Sequence, residues 1–484
     1  MKYLGCLIII ACSAGVLAGA EKPNVLFIAV DDLRPQLGCY GEDFMHTPNM
    51  AALAATGMRF DRAYCQYPLC GPSRTSVMTG LRPDSVGVTD NKTHFRDRIP
   101  GIVTLPQHFK NHGYHAVAVG KIYHHTSEMQ DDPSWSETPV KYWGYDVGDE
   151  YRLPENKKAY QKAAEEAIEM GLTGDWEYDI HCAASVPPYE KADLPDDAYH
   201  DGKIANEAIA SLRRISGESQ PFFLGVGFHK PHLVYSCPAE YWDLYDTDSL
   251  PPPPTSEIPE DYPDGYFYDS IYARVFKGLP ESGAFPEDEI RNMRHGYFAC
   301  VSYVDAQIGK VLAELDRLKL RNHTIVILWG DHGYLCYDHG IWGKHNTSER
   351  AVRSPLIISV PGNKGGMSTP SLTEFVDIYP TLCELAGLPI PGHVDGVSLR
   401  PVLNDPEASV KDAAFSQYPA NGTMGYSVRN QNYRYTEWKN RRSGAIEARA
   451  LFDYTKDKKE TRNRVHDQTY KEIVHRMKKM LHRE

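Results

Sequence analysis

Five short apolar runs recur along the chain, at residues 24–30, 115–120, 222–227, 324–330 and 356–360. Each is dominated by Val, Ile, Leu, Ala and Phe with little polar alternation, the pattern of a strand buried on both faces. Between and beyond them, apolar residues spaced three and four apart predict helices over 47–56, 204–215, 287–318 and 373–386. Buried strands alternating with helices predict an α/β fold, a mixed and mostly parallel sheet flanked by helices.

Two segments break this rhythm. Residues 127–201 show little periodicity and many Tyr, Pro and charged positions, and residues 251–286 open with four consecutive prolines. Both read as long surface insertions, where contacts with ligands concentrate. After Leu399-Arg400-Pro401 the apolar runs thin, while 426–429 and 433–438 alternate as antiparallel strands and Ala450-Leu451-Phe452-Asp453-Tyr454 follows. The predicted organisation is a leader over 1–20, a main domain over 21–405, and a small α+β domain over 406–484 ending in a helix near 470–481.

The leader carries Lys2, an apolar core over 4–11 and the small-residue exit Ala18-Gly19-Ala20, which together read as an export signal. The expected location is secreted or periplasmic; Ile9-Ile10-Ala11-Cys12 resembles a lipoprotein cleavage box, so lipid anchoring is the alternative. No run reaches the ~18 apolar residues of a spanning helix, so no transmembrane segment is predicted. Removing the leader leaves Cys39, Cys65, Cys70, Cys182, Cys237, Cys300, Cys336 and Cys383, with no CxxC pair, which argues against a dense disulfide scaffold or a structural zinc site. An exported chain has room for one or two bridges among them. The net charge of −12 opposes nucleic acid as a partner. An anionic substrate therefore needs a local cluster of Arg, Lys and His. The basic residues between Lys456 and Lys479 are interleaved with Asp and Glu and read as a solvated helix face.

Chemistry gathers at the ends of the apolar runs. Asp31-Asp32 ends the first and Asp331-His332 the fourth. Ligands of open α/β sheets bind beyond the carboxyl ends of strands, and adjacent buried carboxylates need a cation. Asp also caps helices and makes turns, but two such pairs favour a metal centre. Cys70-Gly71-Pro72-Ser73-Arg74 opens a short helical run closed by Gly80. Cys70 thus falls at a helix N-terminus, where negative charge is favoured, and Arg74 lies one turn on, able to reach back over it. Three Asp and a His form an oxygen-dominated set suited to Ca²⁺ or Mg²⁺, with a thiol-retaining zinc hydrolase as the competing reading. Basic groups follow other strand ends: Lys121 and His124, then His229, Lys230 and His232, then His339 and Lys344.

The arrangement Cys-x-Pro-Ser-Arg followed by x-x-x-Met-Thr-Gly resembles the signature of type I sulfatases. In that family the cysteine becomes formylglycine through a formylglycine-generating enzyme. Val30-Asp31-Asp32-Leu33-Arg34-Pro35, Gly38-Cys39-Tyr40-Gly41, Gly120-Lys121-x-x-His124, Gly227-Phe228-His229-Lys230-Pro231-His232 and His332 look most like its iduronate-2-sulfatase branch. The resemblance implies an alkaline-phosphatase-like fold, with Ca²⁺ (Mg²⁺ as the alternative) held by Asp31, Asp32, Cys70 as formylglycine, Asp331 and His332. It implies that Arg74 and Lys121 stabilise the hydrate and the sulfate oxygens, and that His124 is the base expelling sulfate from a covalent hemiacetal. His229 and Lys344 would bind sulfate and assist the leaving alcohol. The implied substrate is a sulfated oligosaccharide or polysaccharide, and the implied reaction removes 2-O-sulfate from a uronic acid. A phosphonate or phosphate-ester hydrolase and an inactive sulfated-glycan binder with unmodified Cys70 are the alternatives. His345 stands where the animal enzymes of this branch have Tyr.

Overall fold

The computed structural model describes residues 22–124, 129–141, 147–172, 176–267 and 272–483; the export signal read over 1–20 lies outside them. Seven strands make the central sheet: β1 (Asn24–Val30), β2 (Met58–Tyr64), β3 (His115–Gly120), β4 (Phe222–Phe228), β5 (Thr324–Gly330), β6 (Leu356–Ser359) and β7 (Met367–Glu374). Their spatial order is β7-β2-β6-β5-β1-β4-β3. β1 is parallel to β4 and β5, β3 to β4, and β7 to β2, while β6 runs antiparallel to both neighbours. The mixed, mostly parallel sheet is as the apolar runs predict.

β1 shows why those runs lack polar alternation. Leu26, Ile28 and Val30 join a core beneath the helices His200–Ile215 and Glu287–Arg317. Val25, Phe27 and Ala29 join a second core with Val77 and Met78 of the helix Cys70–Thr79. Both faces are covered, and each large apolar side chain so buried contributes about 1.5–3 kcal/mol.

Register then decides where the chemistry goes. Val30 lies opposite both Phe228 and Gly330, and Gly120 opposite Gly227. The residues that follow, Asp31, His229, Asp331 and Lys121, leave the sheet along one edge.

Four antiparallel strands follow: β8 (Ala414–Ala420), β9 (Thr423–Arg429), β10 (Tyr433–Asn440) and β11 (Ile446–Asp453). Val428, Tyr435 and Leu451 pack against Met477 of the helix Lys471–His482. β8 is docked onto the segment after β2, with Ser416 Oγ donating to Cys65 O at 2.6 Å and Gln417 N to Gln66 O at 2.9 Å. The second sheet is thereby fixed to the stretch that leads into Cys70.

Two expectations need correction, and one open question is answered. The helix expected from 373 begins at Ile378, because Met367–Glu374 instead completes the open edge of β2, Thr373 pairing with Ala63. The described parts of 127–201 are not irregular: they hold the helices Pro154–Glu169 and Trp176–Ala183. Tyr160, Ala163 and Ala167 form the buried stripe of the first, and small alanines among many charges give a weak periodic signal. Cys39, Cys65, Cys70, Cys237, Cys300, Cys336 and Cys383 are all thiols, so the one or two bridges for which an exported chain has room are not formed among them.

Candidate active site

Backbone contacts lock the strand ends to the start of the helix Cys70–Thr79. Asp32 sits at φ 56, in the left-handed region, and its N–H donates to Asp331 Oδ1 at 3.1 Å. Ser73 Oγ donates to the Asp331 carbonyl. Gly71 N–H donates to Asn91 Oδ1 at 2.9 Å, and a Cβ on Gly71 would lie 2.7 Å from that oxygen, so a side chain here would displace Asn91. Gly120, at φ +77, ends β3 and lets Lys121 N donate to Gly227 O at 2.8 Å.

Ligand atoms of Asp31, Asp32, Cys70 and His332 all lie within 4.8 Å of one another, and all four residues are buried. Cys70 Sγ is 3.4 Å from His332 Nε2 and 3.1 Å from Lys344 Nζ. Asp331 adjoins this group, its Oδ1 3.5 Å from His332 Nε2. Both of its oxygens accept protein hydrogen bonds, Oδ1 from the N–H groups of Asp32 and His332 and Oδ2 from Arg74. The donors fit a hard cation in two respects. Asp32 Oδ2 is buried with no hydrogen-bond partner, an arrangement that is costly for a carboxylate oxygen unless a positive charge faces it. Burial, followed by the Lys344 charge, drives the His332 pKa down to about 3, which keeps the imidazole neutral as a ligand must be.

Three cations face the three carboxylates. Lys121 Nζ donates to Asp31 Oδ2 and Lys344 Nζ to Asp32 Oδ1. Burial alone would raise the carboxyl pKa values of Asp31 and Asp32; Lys121, His232 and Arg74 hold the first well down, and Lys344 and His232 lower the second. Burial, reinforced by Asp31, pushes Asp331 up instead. Arg74 is tied down by carboxylates rather than by Cys70. Its Nε donates to Asp331 Oδ2 at 2.9 Å and its Nη2 to Asp31 Oδ1 at 3.4 Å, because those buried carboxylates are the stronger attraction. Nor does the helix N-terminus make Cys70 an anion: burial and Asp31 push its thiol up, outweighing Lys344 and Lys121. The position therefore does not by itself hold a thiolate nucleophile ready.

His124 and His229 both lie at the same edge, and burial, then Lys121, depresses both well below the ordinary imidazole value. The backbone N–H groups of His229 and Lys230 each donate to the Asp201 carboxylate at 2.8 Å. Lys230 Nζ reaches Glu150 at 2.8 Å, and Glu150 lies 3.7 Å from His200 Nδ1. Asp201 and Glu150 come from outside the recognised motifs, and no spacing in the sequence points to them. His232 belongs to the run 229–232, and its ring is a major electrostatic neighbour of Asp31 and Asp32. His345 stacks on Tyr418 of β8 at 5.6 Å, so the second sheet reaches the neighbourhood of Lys344.

The sulfatase family model matches residues 23–388, and a model described as N-sulphoglucosamine sulphohydrolase, C-terminal, matches 337–484. The chain belongs to the sulfatase family. It is a sulfuric ester hydrolase, similar to iduronate 2-sulfatase of Homo sapiens at 32% identity over 86% of this chain and 84% of that protein. The sulfatase is also 30% identical to choline-sulfatase of Rhizobium meliloti, over 91% of this chain and 82% of that one. Among solved structures, the phosphonate monoester hydrolase of Silicibacter pomeroyi shares the fold with a TM-score of 0.74 at 23% identity, covering 96% of this chain and 95% of that chain. The sheet and its flanking helices are thus the alkaline-phosphatase-like architecture of sulfatases. Among the described residues, no helix of the sulfatase is long and apolar enough to cross a membrane.

Proposed function

We propose that this sulfatase removes 2-O-sulfate from uronic acid residues of a sulfated carbohydrate, with residue 70 acting as formylglycine after conversion by a formylglycine-generating enzyme. The observation that carries the reading is the buried group of Asp31, Asp32, Cys70 and His332, with Lys344 and Lys121 bonded to its carboxylates. The similarity to iduronate 2-sulfatase supports the uronate assignment. Asp31, Asp32, His332 and residue 70, with Asp331 alongside, would hold a divalent ion, which we take as Ca²⁺ with Mg²⁺ as the alternative. Such an ion, when bound, supplies Lewis-acid polarisation and lowers the pKa of an oxygen ligand; formylglycine supplies a hydrated carbonyl as oxygen nucleophile.

The remaining roles belong to side chains. Lys121 and Lys344 present ammonium groups to the sulfate oxygens, stabilising charge where it develops. Arg74, bound to Asp331 and Asp31, holds the carboxylates in place behind the nucleophile. His124, kept neutral by burial and by Lys121, accepts the hydroxyl proton of residue 70. His229, neutral in the free enzyme, gains basicity when the sulfate anion arrives beside it and assists the departing alcohol. We further propose an exported protein, secreted or periplasmic, with the catalytic segment over 21–405 and a substrate-facing subdomain over 406–484.

The test is sulfate release from defined disaccharides ending in a 2-O-sulfated uronate, compared with 6-O-sulfated and N-sulfated counterparts and with aryl phosphate and phosphonate esters. Preferential desulfation of the 2-O-sulfated compound is expected. Preference for another sulfate position overturns the uronate assignment, and faster phosphonate turnover overturns the choice of ester.

A further inference from the structure

We propose that a basic cleft beside β2, away from the catalytic group, is a second binding site that takes sulfate or carboxylate groups of an acidic saccharide. The saccharide class rests on the function proposed above; the anion-binding character does not. The cleft has a volume of about 590 Å³ and is walled by β2, by the segment before β6 and by the turn after β11.

Its charges are unevenly spent. The acids in its wall are already engaged: Asp338 by Arg34 at 2.6 Å, Asp61 by Arg59 at 2.8 Å, Glu349 by Tyr64 Oη at 3.0 Å, and Glu460 by Arg434 at 3.1 Å. Arg62, Arg353, Lys458 and Lys459 also line it; among the described residues none of the four is in a salt bridge, and Arg353 only adds its charge beside Glu349, which Arg429 and Arg434 already pair. Arg62 finds only the Gln431 carbonyl, at 3.4 Å. Arg353 Nε is buried with no hydrogen-bond partner. A guanidinium N–H without an acceptor is costly, and planar oxyanions match its geometry. On a chain of net charge −12, a pocket whose uncommitted charges are all positive draws anions locally.

This departs from the sequence reading of the basic C-terminal stretch. Lys458 and Lys459 are exposed in the turn between β11 and the helix Lys471–His482, not on that helix. The cleft is also near the reaction: Glu349 is five residues from Lys344, at most about 18 Å along an extended chain. A polymeric substrate held here stays close to the catalytic edge.

The experiment titrates the full-length Cys70→Ala protein with a size-defined sulfated oligosaccharide of uronic acid and hexosamine, and separately with inorganic sulfate, by calorimetry. Adding Arg353→Gln, Lys458→Gln and Lys459→Gln should weaken oligosaccharide binding about tenfold or more and flatten its dependence on salt. The exposed pair Lys458→Gln and Lys459→Gln alone, which leaves the fold untouched, should give a smaller loss in the same direction. In otherwise wild-type enzyme, these substitutions should leave kcat/KM for a small aryl sulfate unchanged. Unaltered oligosaccharide affinity in both variants overturns the proposal. Inorganic sulfate binding as tightly as the oligosaccharide overturns the saccharide assignment. Loss of sulfatase activity in the wild-type enzyme, with cleft binding intact, would sink the catalytic reading and leave this site standing.

Discussion

Lys344 Nζ lies 3.1 Å from Cys70 Sγ while donating to Asp32 Oδ1, so one ammonium joins the nucleophile position to a metal-type carboxylate. Burial would lower the Lys344 pKa, but Asp32 and the Cys70 position raise it further, keeping the group charged across the working range. Lys344→Met should therefore cost about 10²–10³-fold in kcat/KM for an aryl sulfate, the scale of losing one charge-stabilising donor. Steady-state kinetics check this; a loss under threefold would remove Lys344 from sulfate binding.

Metal dependence follows from the buried donor set. Chelation should abolish turnover and Ca²⁺ should restore it. Binding to the folded state alone should also raise thermal stability, by about 2.7 kcal/mol at a hundredfold excess over Kd. Asp32→Asn should weaken both effects together. Restoration by Zn²⁺ but not by Ca²⁺ or Mg²⁺ would favour a thiol-bearing zinc site.

The acid limb of the rate profile is predicted by His124. It is depressed below 6.5 by burial first and then by Lys121, so its neutral form persists as pH falls through that value. In the free enzyme, kcat/KM should hold its plateau below pH 6.5 and fall only under more acidic conditions, measured between about pH 4 and 8. A limb centred above 6.5 would contradict a neutral His124 as the base.

Much of this site could be read directly from the sequence. Asp31-Asp32 and Asp331-His332 stand out because each abruptly ends an apolar run, and parallel register carries both to one edge. Lys121 and His229 follow by the same logic from β3 and β4. What stayed hidden depends on long-range contacts. The turn of Arg74 toward Asp331 is set by a carboxylate 257 residues away. Asp201 and Glu150, which brace His229 and Lys230, are ordinary acids in unremarked segments. β7 and β8 gain their identity from pairing partners: β7 from the free edge of β2, β8 from β9.

Glu349 ties the two sheets together. It accepts from Tyr64 Oη at 3.0 Å and pairs with Arg434 and Arg429 of the C-terminal sheet. Burial raises its pKa, but Arg429 and Arg434 prevail and bring it to about 2, below its reference of 4.5. A depressed carboxyl contributes stability fully above 4.5, and that contribution is lost as pH falls through about 2. Glu349→Gln strips Arg429 of its carboxylate and leaves Arg434 to Glu460 alone, and should cost about 3 kcal/mol near neutral pH. Denaturant titrations should show the variant losing less stability than the wild type as pH falls through that window; parallel curves would refute the linkage.

The most direct measurement is the mass of the peptide containing residue 70, taken on preparations of graded specific activity made with and without a formylglycine-generating enzyme. The account predicts that activity rises in proportion to the aldehyde-bearing peptide, and that Cys70→Ala retains the wild-type melting temperature but loses at least about 10³-fold in turnover. Full activity in protein whose residue 70 is wholly unmodified cysteine would contradict it.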